Sequence, residues 1–432
     1  MSIRFFLQDT FFYGGLSLLN RSVSLLLFPV LVRSLSKEEY AIVDSFTVLS
    51  GFLFVMLLFG IDSAVARFLA DTKNDFEKKQ LFTESVLCLI VNIITFIPII
   101  YLLNSFLLDY YLGDSTYKFL FPLILSNLSI HLIIHNFLSL FKWMFEKFNY
   151  FLISFGHTTF TILLTLYFLL MHEQGLLSVF YGQLISSFIF LIISLMIGKK
   201  YICYKLINFK IFRFYKFGFP IFLVSGLGCI IPIIERNFIS HHLTLQDIAV
   251  FSVSLKIVLF LSLITSTFNT AWTPFALSIF KKDNALGIFN KIFVFILFST
   301  GVLILLLNFF SDKLITFLAG VEYSQSVSLV LPLLLSRFFI FSSLFISIGV
   351  FIKKKNKYLI LPKIIYIICF IILAPLYIQK GGLVGFCNIV LICSIVSFIL
   401  HVIINIKISD YNFKYIYYIP FILLSIYTIN IH

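Results

Sequence analysis

Apolar runs of 18 or more residues recur from one end of this chain to the other. A run of that length crosses the ~30 Å hydrocarbon core of a bilayer as one α-helix, which rises about 1.5 Å per residue. With 60% hydrophobic and only 12% charged residues, the chain does not have the composition of a soluble domain. The alternating strands of about ten residues that build a membrane barrel are not found in the sequence. The sequence therefore predicts an all-α polytopic membrane protein.

Twelve membrane spans are predicted from these runs, and a shorter apolar run follows them. The short run, 415–431, is rich in aromatic residues and is predicted either to span the membrane or to lie at its interface. The six cysteines show neither paired nor metal-type spacing, so we expect no disulfide framework and no metal site. The predicted spans are 10–34, 41–66, 83–108, 119–141, 151–171, 176–198, 217–240, 248–272, 288–310, 327–352, 358–378 and 383–406.

The basic residues predict the orientation of these spans. Most of the 32 Lys and Arg residues lie at the N-terminus or in the loops after even-numbered spans, and the stretch from Lys199 to Lys216 is the longest of these loops. Because Lys and Arg accumulate on the cytoplasmic side of membrane proteins, the N-terminus and these loops are predicted to be cytoplasmic. The net charge of +13 therefore reflects topology, and no nucleic-acid partner is expected.

The second half of the chain repeats the organisation of the first. Phe12-Tyr13-Gly14 is matched by Lys216-Phe217-Gly218, and Pro29-x-x-x-Arg33 is matched by Pro232-Ile233-Ile234-Glu235-Arg236, about 200 residues later in each case. Six predicted spans separate the copies, so both copies begin on the same side of the membrane. The repeat is therefore predicted to be parallel, with its pseudo-twofold axis along the membrane normal.

Three regions follow from this repeat: an N-terminal six-helix bundle at 1–204, a C-terminal six-helix bundle at 205–410, and a tail at 411–432 with a candidate extra membrane segment. Two bundles related in this way enclose a cavity near the membrane midplane. Several basic residues lie inside the predicted spans, so the sequence predicts that this central cavity is cationic. Such a cavity suits an anionic substrate, because Arg binds phosphate and carboxylate groups bidentately.

Arg21 is the strongest candidate for lining the cavity. It lies near the middle of the first predicted span, where its side chain reaches neither surface easily. Gly14, Ser17, Arg21 and Ser24 are spaced by three and four residues and therefore share one face of the helix. A polar face on a membrane helix contacts protein or water rather than lipid. The alternative is a structural Arg that pairs with a carbonyl or an Asp.

Four further basic residues are candidates for substrate binding. Arg337 and Lys256 lie deep in their predicted spans, close to serine residues. Arg236 and Arg33 occupy equivalent places near the outer ends of spans seven and one, where snorkelling to the surface is an equal alternative. The recurrence of Arg at this position in both halves of the repeat is consistent with either role.

Two acids, Asp62 and Glu235, are candidates for ion coupling, since burial would raise the pKa of a carboxyl group. For Asp62 the alternative is an ion pair with Arg67, one turn or so further along the span. Asp44 lies near the outer end of span two, and Glu84 is interpreted as a charge that complements the N-terminus of span three.

Enzymatic motifs are not found in the sequence. His131 and His135 are four residues apart on span four, a spacing that can bind metal, but no acid or Cys nearby completes a set, and packing or hydrogen bonding is expected. There is no Walker A motif, no nucleophile elbow and no Gly-rich dinucleotide turn. We expect no catalytic residue and no cofactor, and transport that is not driven by ATP hydrolysis on this chain.

The motifs of the repeat resemble those of bacterial polysaccharide (O-antigen) flippases, members of the MATE-like superfamily of multidrug, oligosaccharidyl-lipid and polysaccharide exporters. In the first half the resemblance rests on Phe28-Pro29-x-x-x-Arg33-x-Leu35-Ser36-x-Glu38-Glu39-Tyr40 and Gly60-x-Asp62-x-Ala64-x-x-Arg67-Phe68. In the second half it rests on Phe217-Gly218-Phe219-Pro220, Glu235-Arg236 and Ala271-Trp272-Thr273-Pro274-Phe275. The family often has Asp where this chain has Glu235.

The resemblance implies a flippase that moves undecaprenyl-pyrophosphate-linked O-antigen units for lipopolysaccharide across the bacterial inner membrane by alternating access. It implies a lipid-linked oligosaccharide substrate, with a polysaccharide polymerase and a chain-length regulator as candidate partners. Three alternatives remain open at this point: a lipid II flippase, a drug antiporter, and a membrane polysaccharide polymerase or glycosyltransferase. A polymerase would be expected to carry a long outer loop, which the predicted spans do not leave.

The predicted orientation can be tested with cysteine labelling. In a cysteine-free variant, a single cysteine placed between Lys199 and Lys216 should react with a membrane-impermeant maleimide only after the cells are opened, because this basic loop is predicted to be cytoplasmic. A cysteine at Glu173, in the loop after span five, should react in intact cells. Reaction of the first site in intact cells would overturn the topology.

Overall fold

A computed structural model of the protein describes residues 3–72, 74–113, 115–203, 210–280, 284–353, 355–409, 413 and 415–431. Within these ranges the regular elements are all helices. Side chains are described except at 3–11, 70, 266–267, 269–271, 273–274, 277–278, 356 and 430–431. The protein is thus an all-α multi-pass membrane protein, as the sequence predicts.

The chain forms two compact units, Met1–His241 and His242–His432. The helices of the first unit are α1 Ile3–Ser34, α2 Lys37–Leu58, α3 Ile61–Asp71, α4 Asp75–Leu102, α5 Asn104–Leu112, α6 Phe121–Trp143, α7 Lys147–Met171, α8 Leu177–Gly198 and α9 Phe212–His242. The helices of the second are α10 Leu245–Ile279, α11 Ala285–Phe309, α12 Ser311–Ala319, α13 Ser326–Ile346, α14 Ile348–Ile352, α15 Ile360–Ile408 and α16 Ile419–Ile431.

The boundary between the units differs from the predicted one. The repeat places α9 at the start of the C-terminal bundle, 205–410, whereas the packing of the structure groups almost all of α9 with the first unit. The boundaries of the compact units and of the repeat need not coincide, because a helix that belongs to one copy of the repeat can pack most closely on helices of the other copy. The pseudo-twofold relation between two six-helix bundles therefore stays a prediction.

Eleven helices among the described residues are long and apolar enough to cross a membrane. The last of them, Lys357–Ile408, has 52 residues. It is broken at Gly382, whose φ of 54° and ψ of −134° are not helical. Gly385 packs so closely on the carbonyl oxygen of Tyr377 that a Cβ there would clash, so the chain reverses direction at this break. The two helices on either side of the break correspond to the spans predicted at 358–378 and 383–406. Helix α16 has 13 residues, and whether it crosses the membrane stays a prediction.

The span predicted at 41–66 is two helices rather than one. Phe59 and Gly60 both have positive φ angles, of 50° and 71°, and they separate α2 from α3. Glycine adopts this region without steric cost, whereas phenylalanine does so only when its surroundings hold it there. The Phe59 ring is held by stacking on Phe222 of α9, with the ring centroids 4.7 Å apart.

Both halves of the chain begin their second helix with the same local structure. The Ser36 side chain accepts a hydrogen bond from the Glu39 amide, and the Glu39 carboxylate accepts one from the Ser36 amide. Thr244 and Asp247 form the equivalent pair at the start of α10. Such a capping box satisfies amide groups that a helix start would leave unpaired in a membrane protein. The matched caps support the predicted repeat at the level of local structure.

The core of the second unit is aromatic and centres on α13, most of which is buried. Trp272 of α10 stacks on Phe345 of α13 with ring centroids 4.2 Å apart, and Phe293 of α11 lies 5.5 Å from the same ring. In lipid there is little hydrophobic force between helices, so such close packing contributes much of the cohesion of a helical bundle.

Backbone contact between two glycines joins α9 to the break between α2 and α3. A Cβ added to Gly60 would lie 2.6 Å from the carbonyl oxygen of Gly218, and a Cβ on Gly218 would clash with the carbonyl oxygen of Phe59. Small residues of this kind let membrane helices approach until their backbones touch. Gly218, which corresponds to Gly14 in the predicted repeat, is thus required by packing.

The contact predicts a difference between two alanine substitutions in α9. Gly218→Ala should lower the melting temperature of the purified protein by several degrees, because the new methyl group displaces the backbone of the α2–α3 break. Gly226→Ala should leave it unchanged or raise it, since the added Cβ meets only the Phe222 side chain at 3.7 Å and alanine favours the helix. Equal effects of the two changes would contradict the close contact.

Candidate functional site: an exposed arginine, buried ion pairs and a neutral cavity

Arg21 lies in the middle of α1, and its side chain is exposed. Gly14, Ser17 and Ser24 are exposed as well, so the whole predicted polar face of α1 is accessible. Inside a membrane-spanning helix, an accessible polar face of this kind faces water or a polar ligand rather than lipid, since burying a charge in hydrocarbon is costly. The position fits the predicted cavity-lining role, which remains a prediction.

Arg236 is buried, and only 3% of its surface is exposed. Its Nη2 and Nε atoms lie 2.9 and 3.3 Å from Oδ2 of Asp44, and Nη1 lies 3.5 Å from Oε2 of Glu235. All three side chains are buried. Arg236 therefore does not snorkel to the surface: it is held between two carboxylates, which compensate its charge where water cannot. Of the two alternatives considered for this residue, the snorkelling one is wrong.

The surroundings of this buried ion pair exclude water. Asp44 lies in the second turn of α2, where Ser45 is fully buried. The Tyr111 hydroxyl donates a hydrogen bond of 3.1 Å to the Ser45 carbonyl. Burial raises the pKa of Tyr111, so this phenol stays protonated and keeps donating. Glu235, a predicted ion-coupling residue, is thus engaged with Arg236 in this state of the protein.

A second ion pair joins α9 to α4. Glu84 is completely buried. Its carboxylate accepts a hydrogen bond from Nη2 of Arg213 and another, of 3.1 Å, from the side-chain amide Nε2 of Gln80. The Arg213 guanidinium also lies over the rings of Phe68 and Phe214, at 5.4 Å from each centroid. The interpretation of Glu84 as a charge at a helix start is wrong, because α4 begins at Asp75. Glu84 instead anchors the first turn of α9.

A third charged contact in the first unit joins the connection before α7 to the connection after α8. Glu146, at the start of α7, lies 2.6 Å from Nζ of Lys200 and also accepts hydrogen bonds from Tyr201 and Asn149. Partial desolvation acts to raise the pKa of Glu146, but these hydrogen bonds outweigh it and lower the pKa below its ordinary value. Glu146 is therefore ionised at neutral pH.

Asp62 lies in the first turn of α3 and is half-buried. It lines a cavity of about 240 Å³ together with His135 and Lys142. The alternative of an ion pair with Arg67 is wrong, because Arg67 pairs with the exposed Asp71, with Nε 3.3 Å from Oδ2. Asp62 thus borders a small polar cavity, and its role in ion coupling stays a prediction.

The remaining predicted cations differ from Arg236 in their exposure. Arg33 is exposed in the last turn of α1, about 18 Å along the helix from Arg21. In the second unit, Lys256 of α10 and Arg337 of α13 are half-buried. Ser336, next to Arg337, has its Oγ atom 2.7 Å from that of Ser394. Within the first unit, Arg21 is thus exposed in the middle of its helix, whereas Arg236 is buried.

One cavity of the first unit is lined by uncharged side chains, some of them polar and some apolar. It measures about 610 Å³, and α1, α2, α6, α7 and α8 all contribute to its walls. A chain of hydrogen bonds crosses one wall: His157 to Ser187 at 3.0 Å, Ser187 to Asn127 at 2.7 Å, and Asn127 to Gln183 at 3.4 Å. His131 stacks on His157 with ring centroids 5.6 Å apart, in agreement with the packing expected for it.

Sequence comparison identifies the family. Residues 6–280 match the model of the family described as polysaccharide biosynthesis protein, and this is more than half of the 432 residues. The chain belongs to this family. No match to this family member was found among curated proteins.

Solved structures show that this polysaccharide biosynthesis protein shares the fold of known membrane transporters. A structure of the lipid II flippase MurJ in an inward closed conformation aligns over 97% of both chains, with a TM-score of 0.72 and 16% identity. An inward-facing multidrug resistance MATE transporter of the MOP superfamily aligns over 90% of this chain and 95% of its own, with a TM-score of 0.69 and 14% identity. A mutant of the Vibrio cholerae MATE transporter VcmN aligns over 92% of this chain and 93% of its own, with a TM-score of 0.60 and 12% identity.

The buried ion pair predicts a large effect of a small substitution. Asp44→Asn should lower the melting temperature strongly, because removing one partner of a buried pair costs about 3–5 kcal/mol. Glu235 remains beside the guanidinium, so we expect the lower end of that range. Asp71→Asn makes the same chemical change in the exposed pair with Arg67 and should cost no more than about 1 kcal/mol. Similar thermal stability of both variants would show that Arg236 does not depend on Asp44.

Proposed function

We propose that the protein flips undecaprenyl-pyrophosphate-linked oligosaccharides, the repeat units of O-antigen and related polysaccharides, from the cytoplasmic to the periplasmic leaflet of the bacterial inner membrane. Its family supports a role in polysaccharide biosynthesis. Its fold, shared with a lipid II flippase and with MATE exporters, supports transport by alternating access. On this proposal the protein is a transporter rather than an enzyme, and its N-terminus lies in the cytoplasm.

The observation that carries the proposal is the exposed polar face of α1 with Arg21 at its centre. A pyrophosphate group cannot cross hydrocarbon unless its charge is compensated, and a guanidinium supplies two aligned hydrogen bonds for phosphate oxygens. Small and hydroxyl-bearing neighbours at Gly14, Ser17 and Ser24 leave room for such a head group. The lipid tail can stay in the bilayer while the head group follows the polar face.

The two ion pairs of α9 suggest how access alternates. Arg213 is bound to Glu84 near one end of α9, and Arg236 is bound to Asp44 near the other. Under the predicted topology, the first pair lies on the cytoplasmic side and the second on the periplasmic side. Opening towards the periplasm would break the Asp44–Arg236 pair, and its buried position makes it a latch that closes again when the substrate has left.

Ion coupling and downstream partners complete the proposed cycle. Glu235 and Asp62 are the candidate ion-coupling residues, and Glu235 would lose its cationic partner when Arg236 moves away from it. Arg33, Lys256 and Arg337 are the further candidates for contact with the anionic substrate. A polysaccharide polymerase and a chain-length regulator would receive the flipped units.

Flipping of lipid II is a second candidate, favoured by the alignment with the lipid II flippase over 97% of both chains. The two candidates differ in the sugar that is carried, so complementation separates them. Growth of a lipid II flippase depletion strain on expression of this chain would favour the second candidate, and restored surface polysaccharide in a strain that lacks an O-antigen flippase would favour the first.

Arg21 is the residue that tests the proposal. Arg21→Ala should reduce surface polysaccharide at least about tenfold at matched expression, with lipid-linked units accumulating in cells, because the pyrophosphate would lose its charge-assisted hydrogen bonds. Arg21→Lys should retain part of the activity, since it keeps the charge but not the bidentate geometry.

Arg67→Ala is the matched control, because Arg67 is exposed near the end of the α2–α3 segment and pairs with Asp71. This variant should produce normal amounts of polysaccharide, measured on gels of extracted surface polysaccharide and by immunoblot of the tagged transporter. Normal polymer in the Arg21→Ala strain would overturn the cavity role of Arg21.

A further inference from the structure

We propose that the neutral cavity of the first unit binds a sugar residue of the transported head group. This inference rests on the proposed function, because it assigns one part of the lipid-linked substrate to a second place in the same unit. The cavity, of about 610 Å³, falls within the ~300–1,000 Å³ typical of small-molecule sites.

The described side chains that line the cavity include no Lys, Arg, Asp or Glu. They include instead hydroxyl, amide and imidazole groups, among them Asn127, Gln183 and His157. A cavity without a cation offers little to a phosphate, and one without a carboxylate offers little to a cationic drug or a metal ion. Its chemistry matches an uncharged ligand that has both polar groups and an apolar face.

The hydroxyl groups of the cavity are oriented by their own helices. Ser24, Thr47, Thr158 and Thr161 each donate their hydrogen to the backbone carbonyl four residues earlier, at distances of 2.7–3.0 Å. Their oxygen atoms are therefore left as acceptors towards the cavity. Sugar hydroxyl groups are donors as well as acceptors, so they can satisfy a wall of this kind, whereas a phosphate dianion has no hydrogen to give it.

Aromatic rings in the cavity wall can contact the apolar face of a sugar. Phe54 and Phe180 both line the cavity, and Phe54 is held in place by the ring of His131 at 5.3 Å. A pyranose ring has one relatively apolar face, which packs on aromatic side chains while its hydroxyl groups point outwards. Pockets that combine apolar walls with a few placed polar groups are typical of specific ligand sites.

The cavity also lies at the right distance from the proposed pyrophosphate site. Ser24 lines the cavity, and Arg21 lies on the same face of α1, three residues or about 5 Å earlier along the helix. A sugar is linked directly to the pyrophosphate in the proposed substrate. One head group can therefore contact Arg21 with its phosphates and reach the cavity with its sugar.

Gly51 gives a way to fill the cavity without disturbing its walls. It lines the cavity on α2, and a Cβ added there meets nothing within 4 Å. Gly51→Phe should place a ring in the cavity while the hydrogen bonds from His157 to Gln183 stay intact. Gly287→Phe is the matched control, since a Cβ at this exposed glycine of α11 also meets nothing within 4 Å.

The binding test uses purified protein in lipid nanodiscs and saturation-transfer-difference NMR. The probes are neutral methyl glycosides of a hexose, a deoxyhexose and an N-acetylhexosamine, with inorganic pyrophosphate as the anionic probe. We expect at least one glycoside to bind, with its signal reduced about tenfold by Gly51→Phe and unchanged by Gly287→Phe. Pyrophosphate binding should persist in both variants and be lost in Arg21→Ala.

A second pair of variants keeps the test decisive if the phenylalanine variant fails to fold. Gln183→Leu removes one polar group from the cavity wall and should weaken glycoside binding about two- to tenfold, the value of one uncharged hydrogen bond. Gln379→Leu makes the same change at an exposed position in α15 and should have no effect.

The outcomes separate this inference from the proposed function. Absence of binding by every glycoside, or equal binding by wild type and both cavity variants, would overturn the sugar site even if Arg21→Ala still abolished surface polysaccharide. Glycoside binding that depends on Gly51 and Gln183, combined with normal polysaccharide in Arg21→Ala cells, would support the sugar site and overturn the role proposed for Arg21. Loss of both binding and polysaccharide in the cavity variants would support both.

Discussion

A guanidinium buried among carboxylates sets the position of α9, and much of the first unit depends on this one interaction. Arg236 is buried, and Asp44 and Glu235 compensate its charge. Asp44 belongs to α2 and Glu235 to α9 itself, which ties the end of one helix to the beginning of another. The Glu84–Arg213 pair repeats the arrangement at the opposite end of α9. Between the two pairs, the contact is made by glycine backbone and aromatic rings.

The charged and polar groups described above fall into two classes, one buried and the other accessible. Charges that are buried have opposite charges as partners, and they fix helices in place. The exposed Arg21 and the uncharged cavity beside it are arranged differently, with polar atoms directed towards accessible space. This second class has the character of a binding surface, because water or a ligand can reach its groups.

Much of the fold could be predicted from the sequence, because the length of an apolar run is set by the thickness of the bilayer. The spans predicted at 358–378 and 383–406 leave a short connection between them, and the structure breaks there, at Gly382. The break at Phe59 could not be predicted, since the positive φ of a phenylalanine is imposed by neighbours such as Phe222 that are distant in sequence. Asp44 and Glu84 were recognised as acids near helix ends, but their partners lie 192 and 129 residues away. The neutral cavity was missed for the same reason, as five helices each contribute ordinary residues to it.

The glycine contact has a mechanical consequence. Gly218 lies five residues from Arg213 and 18 from Arg236, which corresponds to about 8 and 27 Å along the helix axis. The contact holds α9 at this point, because the two backbones touch and the Phe59 ring stacks on Phe222 beside them. Pro220 and Pro232 lie on the longer of these two arms, between the glycine contact and Arg236, and each lacks the amide hydrogen that a straight helix uses, so this arm can bend. On the proposed function, bending of this arm is the movement that would take Arg236 away from Asp44 while the glycine contact stays in place.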